Sequence, residues 1–262
     1  METGLRGARV LVTASSQGIG FGIAEGFVAE GARVVVNSSN AGRLEKAVRE
    51  LRSRGEVRGV VADLMRREEL DRLVDETLRH LGGIDTLVYV TGSPKPGVYL
   101  EQGYEEWEAA ARLLVVSPAY LARRVADAMI QSGTRGRMVF LTSISVREPI
   151  PTIATSSVCR IAVAGLVRTL AREIGPKGIR VNGILPGFVK TGRIDELMRD
   201  TARRRGITPE QALAEVTQAI PLGRIGTVEE VAQAAIFLGS DLSSYVSGTM
   251  LPVDGALLRS VG

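Results

Sequence analysis

The chain has 262 residues, of which 45% are hydrophobic and 24% charged, an ordinary globular balance, and its formal net charge is +4. Acids and bases are interspersed along it, which argues against a nucleic-acid partner, because a binder of phosphate backbones concentrates its cations on one face. A single cysteine, Cys159, excludes an internal disulfide and a cysteine-rich metal site, and a single histidine, His80, leaves one candidate for any His-dependent triad.

His80 lies in "LRHLGG", at the apparent end of a surface helix, where a basic side chain suits the helix dipole. The N-terminal "METGLRGARVLV" lacks the basic segment, apolar core and small-residue cleavage site of a secretory signal, and no apolar run approaches membrane-spanning length. The expected setting is therefore the cytoplasm, without a membrane partner. Length and composition are compatible with one domain over residues 1–262.

Short runs rich in Val, Ile and Leu alternate with segments of helical period, the signature of βαβ units around a parallel sheet buried on both faces. Strands are expected at Arg9–Thr13, Arg33–Asn37, Val57–Ala62, Thr86–Val90, Met138–Thr142, Arg180–Leu185 and Thr249–Val253. The first runs into "TASSQGIGFGIA", where Gly18 and Gly20 stand at the start of a helix and would let its backbone approach a pyrophosphate. Two helical zones, "YEEWEAAARLLVVSPAYLARRVADAMI" and "SVCRIAVAGLVRTLAREIG", carry apolar residues on more than one face, so a subunit interface is expected there. Pro118 should kink the first. An Arg-rich stretch at about 191–225 interrupts the strand–helix rhythm just beyond a strand's carboxyl end, where open α/β sheets hold ligands, and reads as a substrate lid.

From about Gly7 to Gly255 the sequence resembles the short-chain dehydrogenase/reductase family. The motifs that carry the likeness are "TASSQGIG", "ADL" at Ala62–Leu64, "DTLVYVTG", "IRVNGILPGFVKT" and "VSGTMLPVDG". The resemblance implies a Rossmann-type doubly wound sheet of about seven strands with helices on both faces, a nicotinamide cofactor, and a homodimer or homotetramer built on the two long helices. It assigns Thr13, Ser15, Ser16, Gly18, Ile19 and Gly20 to the phosphate loop, and Asp63 and Leu64 to the adenine side. Gly92 falls at the end of the fourth strand, and Pro186, Gly187, Val189 and Thr191 in the segment over the nicotinamide.

Ala14 replaces the family's first loop glycine, a change that is tolerable if its φ stays negative. After the second strand, "VVVNSSNAGR" contains no carboxylate to accept ribose hydroxyls, whereas Asn37, Ser38, Ser39, Asn40 and Arg43 could donate to a 2′-phosphate; NADP is thus preferred to NAD.

The catalytic positions depart from the family pattern. Aligning on "GRMVFLTS" places the family's Ser on Ser143, and counting forward from it or backward from "AVAGLVRTLARE" puts Tyr-x-x-x-Lys on Ser156 and Arg160. The Asn position falls on Leu114, and the two asparagines of the fourth strand are Tyr89 and Val90. An aliphatic hydroxyl such as that of Ser156 is a far weaker acid than a phenol, and a guanidinium keeps the charge of an ammonium but not its shape, so Arg160 could still bind the cofactor's ribose hydroxyls or stabilise an oxyanion. Tyr89 and Tyr120 are the nearest substitute phenols, Cys159 beside Arg160 is a thiol next to a cation, and Arg147 could meet an acidic substrate. The expectation is an NAD(P)-dependent oxidoreductase resembling the 3-oxoacyl reductases, acting on a small carbonyl or alcohol through a non-standard site. A catalytically silent dinucleotide-binding protein or oligomer partner, and non-redox lyase or hydratase chemistry, are the alternatives.

Overall fold

The computed structural model describes residues 2–260. Seven strands, β1 (Arg9–Val12), β2 (Arg33–Ser38), β3 (Val57–Val61), β4 (Thr86–Tyr89), β5 (Arg137–Leu141), β6 (Arg180–Pro186) and β7 (Met250–Val253), form one parallel sheet in the order β3-β2-β1-β4-β5-β6-β7. Each expected strand is present, with no end displaced by more than one residue. Side chains on a strand alternate between faces, and here both faces are covered. Val10 and Val12 of β1 and Val34 and Val36 of β2 enter one core, whereas Leu11 and Val35 enter the other. That is why the strands read as continuous apolar runs rather than as polar/apolar alternation.

The first core is closed by α1 (Gly18–Ala29), α2 (Ala41–Arg52) and α9 (Val228–Gly239). Here Gly22 and Gly26 of α1 face Val228 and Ile236, so closely that an added Cβ would lie 2.1 Å from one and 2.6 Å from the other. The second core is closed by α3 (Arg67–Leu81), α5 (Ser117–Gln131) and α6 (Ala154–Glu173). His80 sits exposed in the last turn of α3, as its place in the sequence suggested. Helix α6 is 20 residues long with a mean hydropathy of 1.2, enough by length and composition to span a bilayer, contrary to the sequence reading. In this fold it packs on the sheet through Val163 and Val167 and buries Arg160, while Val158 and Ile161 on it are exposed.

The kink expected at Pro118 takes a defined form. Between α4 (Tyr104–Ala111) and α5 lies a π-helical segment, Arg112–Val116, in which the Arg112 carbonyl accepts from both the backbone N–H and, at 2.8 Å, the hydroxyl of Ser117. Pro118 enters α5 at its first turn, where a missing N–H costs least. Five residues before it, the Leu113 carbonyl gets no donor in π register, and another group fills the gap.

The segment at 191–225 folds as two helices, α7 (Gly192–Arg205) and α8 (Pro209–Ala219), held together by a small core of Ile194, Met198 and Ala212. Thr208 and Gln211 form a capping box that starts α8. Arg204 ties α7 to the loop beyond β4 by two bonds to the Glu101 carboxylate, at 2.9 and 3.0 Å, and bridges Asp200 at 3.0 Å.

Candidate active site

The sheet order reverses direction between β1 and β4, so the loops leaving their carboxyl ends diverge to opposite faces and open a crevice. Hydroxyl and amide groups lock the floor of that crevice. Thr13 donates to the Val90 carbonyl at 2.5 Å and accepts from the Val90 N–H at 2.8 Å. Ser15 donates to the Val12 carbonyl at 2.7 Å and accepts from the Asn37 N–H at 3.0 Å. The Asn37 amide donates to the carbonyls of Val60 and Ala62 while its oxygen accepts from the Ala14 N–H.

These contacts place three of the residues assigned to the cofactor inside the fold. Thr13 and Ser15 are fully buried and Asn37 is 1% exposed; their polar side-chain atoms join the strand ends and are spent there. They brace the loop that leaves β1. At Ala14 the structure corrects the sequence expectation: its φ is +43°, so the methyl group is carried in the left-handed region and not avoided by a negative φ.

Gly18, with φ +56°, and Gly20 stand at the start of α1. A Cβ on Gly20 would stand 2.4 Å from the Ala14 carbonyl oxygen, so only glycine lets α1 start this close to β1. The first turn of α1 contains no acidic residue and its N-cap, Gln17, makes no side-chain capping bond, leaving the helix's N–H groups and its positive end to the crevice. Ile19 is half-buried against the first core. Thr191, the N-cap of α7, brings its methyl group within 3.8 Å of the Cβ position on Gly18, so α7 begins against the glycine loop.

On the adenine side Asp63 accepts from the Met65 N–H with one carboxylate oxygen, and Leu64 is buried beside it. Ser16 donates to the Ser38 hydroxyl at 3.0 Å, and Ser38 also accepts from the Asn40 N–H. Asn40 caps α2 through the Arg43 N–H, while Ser39 and Arg43 are exposed, and no carboxylate lies between residues 37 and 43. Gly92 faces open space, with no atom within 4 Å of where a Cβ would stand. Gly187 packs against the backbone of Asp254, Pro186 ends β6, and Val189 is fixed by a bridge to Gly226. A cradle only glycine permits, a helix start free of acids behind it and an open floor at Gly92 fit a dinucleotide.

At the end of β5 the Ser143 hydroxyl accepts from the Ser145 N–H at 3.1 Å, which leaves its own proton free to donate toward the crevice. Ser156 and Arg160 face each other one turn apart on α6, with Arg160 Nε donating to Ser156 Oγ at 3.0 Å and Nη1 to the Leu141 carbonyl at 3.5 Å. Arg160 is 7% exposed, and burial pushes its pKa down to about 10, with the Tyr89 phenol opposing and the Arg193 charge adding to the fall.

Tyr89 is also buried. Its hydroxyl donates to the Leu113 carbonyl at 3.1 Å, the acceptor that Pro118 cannot serve, and burial drives its pKa above that of a free phenol. Its proton is thus committed to the backbone, and the geometry makes it a prop under the π segment. The Asn position, Leu114, is apolar and forms a cluster with Ala110 and Cys159. Burial raises the Cys159 pKa more than the Arg160 charge lowers it, so the thiol packs rather than reacts. Tyr120 donates to Asp71 on the outer surface, and Arg147 donates to the Met250 carbonyl.

Comparison with known proteins agrees with this architecture. A family model described as Enoyl-(Acyl carrier protein) reductase matches residues 13–257. The chain is 30% identical to a 3-oxoacyl-[acyl-carrier-protein] reductase of Thermotoga maritima, over 97% of this chain and 99% of that one. Among solved structures it is similar to L-sorbose reductase from Gluconobacter frateurii complexed with NADPH and L-sorbose, with TM-score 0.93, 31% identity and full coverage of both chains. It is also similar to an NADPH-bound short chain oxidoreductase from Pseudomonas aeruginosa containing an atypical catalytic center, with TM-score 0.87 and 31% identity over 97% of this chain and 98% of that one. With the sheet order, the glycine cradle and these matches spanning nearly the whole length, the chain belongs to the short-chain dehydrogenase/reductase family of oxidoreductases.

Proposed function

We propose that this protein is an NADP-dependent reductase of carbonyl compounds, or dehydrogenase of the matching alcohols, that works without the family's Tyr, Lys and Asn. The observation that carries the reading is the pairing of the Gly18 and Gly20 cradle with two free donors, Ser143 beyond the end of β5 and Arg160 in α6. Gly18, Ile19 and Gly20 would hold the pyrophosphate, Asp63 and Leu64 the adenine, and Gly92, Pro186, Gly187, Val189 and Thr191 the nicotinamide half. When bound, the cofactor supplies or accepts the hydride.

The chain's own residues handle the oxygen. Hydride addition leaves negative charge there, and a neutral hydroxyl from Ser143 with a cationic N–H from Arg160 stabilises it in a site of low dielectric. Ser156 orients the guanidinium by accepting from Nε. Its alcohol is too weak an acid to replace a phenol, so the proton comes from solvent.

NADP is favoured over NAD because Ser16, Ser38, Ser39 and Arg43 surround the β2 end without a carboxylate, and the NADPH bound in the sorbose reductase and the P. aeruginosa oxidoreductase supports the same choice. The reading includes α7 and α8 as a lid, a cytoplasmic setting, and a homodimer or homotetramer joined through the π segment and α6. Val116, Val158 and Ile161 are exposed there beside a cavity of about 250 Å³ lined by Leu114, Val115, Ala119, Ala162, Val163 and Leu166.

A second reading, a dinucleotide-binding protein without turnover, is favoured by one observation: Ser156 and Arg160 bond to each other where the family has its proton donor. Titrating NADPH and then adding ketones, ketoacyl thioesters and sugars separates the two. NADPH oxidation supports the first, and tight NADPH binding without oxidation supports the second.

A further inference from the structure

The arginines of this chain that sit inside the fold find acceptors for most of their protons. Arg9 pairs with Asp85 through two nitrogens and reaches the Gly82 carbonyl with a third. Arg180 spreads its donors over the carbonyls of Leu238, Ser240 and Ser243 and the Ser243 hydroxyl. Arg160 is more deeply buried than either, yet it spends two of its five N–H groups, one of them on a carbonyl at the limit of bonding distance. No carboxylate pairs with it among the described residues; the groups whose charge reaches it are the Tyr89 phenol, the Cys159 thiol and the Arg193 guanidinium at the first turn of α7. Arg193 has the same sign, and its own partner is Glu196, one turn along the lid.

A buried cation without a counter-charge is expensive and persists where a ligand supplies the charge. With Nε held by Ser156, what remains is the end of the fork: both protons of Nη2 and one of Nη1. Nη2 makes no bond and is not sealed from solvent, so this edge of the fork is left unpaired and open to a ligand. Two parallel N–H groups match two oxygens in one plane.

The geometry points to a carboxylate site: Arg160, with Arg193 of the lid behind it, binds the carboxylate of an oxo acid or hydroxy acid, which makes this acid class the substrate. The inference rests on the reading of this crevice as the catalytic one. Ser156 has a positive part in it, because its small side chain leaves the room that the guanidinium fills and its hydroxyl sets the guanidinium's plane.

The test uses oxamate and its uncharged counterpart oxamide, titrated calorimetrically into the full-length protein without cofactor, with NADPH titrated separately. Oxamate should bind the wild type about tenfold or more tightly than oxamide, and Arg160→Gln should erase that preference while leaving NADPH affinity within a few-fold. Arg160→Lys keeps the charge without the fork and should retain part of the preference, which guards against a Gln variant that fails to fold. Equal binding of oxamate and oxamide, or no binding of either at millimolar concentration, overturns the proposal. So does an Arg160→Gln variant that loses NADPH affinity and keeps that for oxamate, because the fork would then belong to the ribose. NADPH binding without oxamate binding sinks the carboxylate site alone, whereas oxamate binding without NADPH binding sinks the dinucleotide reading and leaves the anion site standing.

Discussion

Replacing Arg160 by Met should make the ligand-free protein more stable. The fall in pKa to about 10, from the usual guanidinium value, measures how strongly burial disfavours the charged form, and at about 1.36 kcal/mol per decade it corresponds to about 3 kcal/mol. The sign follows from a base whose folded-state pKa is depressed: the cost is complete well below a pH of about 10 and fades only as the pH rises toward the usual guanidinium range, so it is fully present at neutrality. Losing the contacts to Ser156 and Leu141 returns about 1–2 kcal/mol, which leaves a net gain of about 1–2 kcal/mol. For a domain of this size that is a rise in Tm of about 3–6 °C. Met is unbranched and adapts to irregular space, so little of the gain is lost to packing. Thermal melts of wild type and Arg160→Met by circular dichroism at neutral pH, without ligand, measure it. A Tm that falls by several degrees would show that the guanidinium is a structural cation with a counter-charge, and the view of Arg160 as a waiting ligand group would be wrong.

Four further substitutions probe the frame around it. Ala14→Gly relieves a positive φ that costs an L-residue about 1–2 kcal/mol and gives back part of that as unfolded-state entropy, so Tm should rise slightly and NADPH affinity should hold; a clear loss of stability would mean the methyl group packs productively. Gly20→Ala drives a methyl group into the Ala14 carbonyl and should abolish NADPH binding by calorimetry, an outcome that unchanged affinity would contradict. Tyr89→Phe strands the Leu113 carbonyl and should cost about 1–2 kcal/mol in urea melts with kcat unchanged, whereas a large loss of kcat at normal stability would return Tyr89 to the chemistry. Ser39→Asp places a carboxylate after β2, and should weaken NADPH about tenfold or more while sparing NADH; equal effects on both would move the 2′-phosphate elsewhere.

The strands could be read from the sequence because runs such as "RVLV" and "RVVVNS" are buried on both faces, and neither burial nor pairing depends on the rest of the chain to be recognised. The glycine cradle was legible for a similar reason, since Gly18 and Gly20 stand where a strand must hand over to a helix. Other features were not. That Asn37 turns inward, to the carbonyls of Val60 and Ala62, depends on β3 lying beside β2. The left-handed conformation of Ala14 is imposed by the loop between Thr13 and Ser15, both pinned by hydroxyl bonds to neighbouring strand ends. Sequence spacing placed Ser156 and Arg160 on one helical face but could not tell that the guanidinium would be buried without an acid, because that requires knowing what α6 does not touch. The Tyr89 contact needed the π register of Arg112–Val116, which Pro118 hints at and only the folded helix defines.

The most direct test of the central claim is to mix purified protein with NADPH and a series of oxo acids, with the matching methyl ketones as controls, and follow loss of reduced-nicotinamide absorbance. The account predicts oxidation of NADPH with an oxo acid, slower by about tenfold or more with its ketone, and reduced by Arg160→Gln and by Ser143→Ala. NADPH bound but unoxidised across the whole series would contradict it and identify the chain as a binding protein on an oxidoreductase fold.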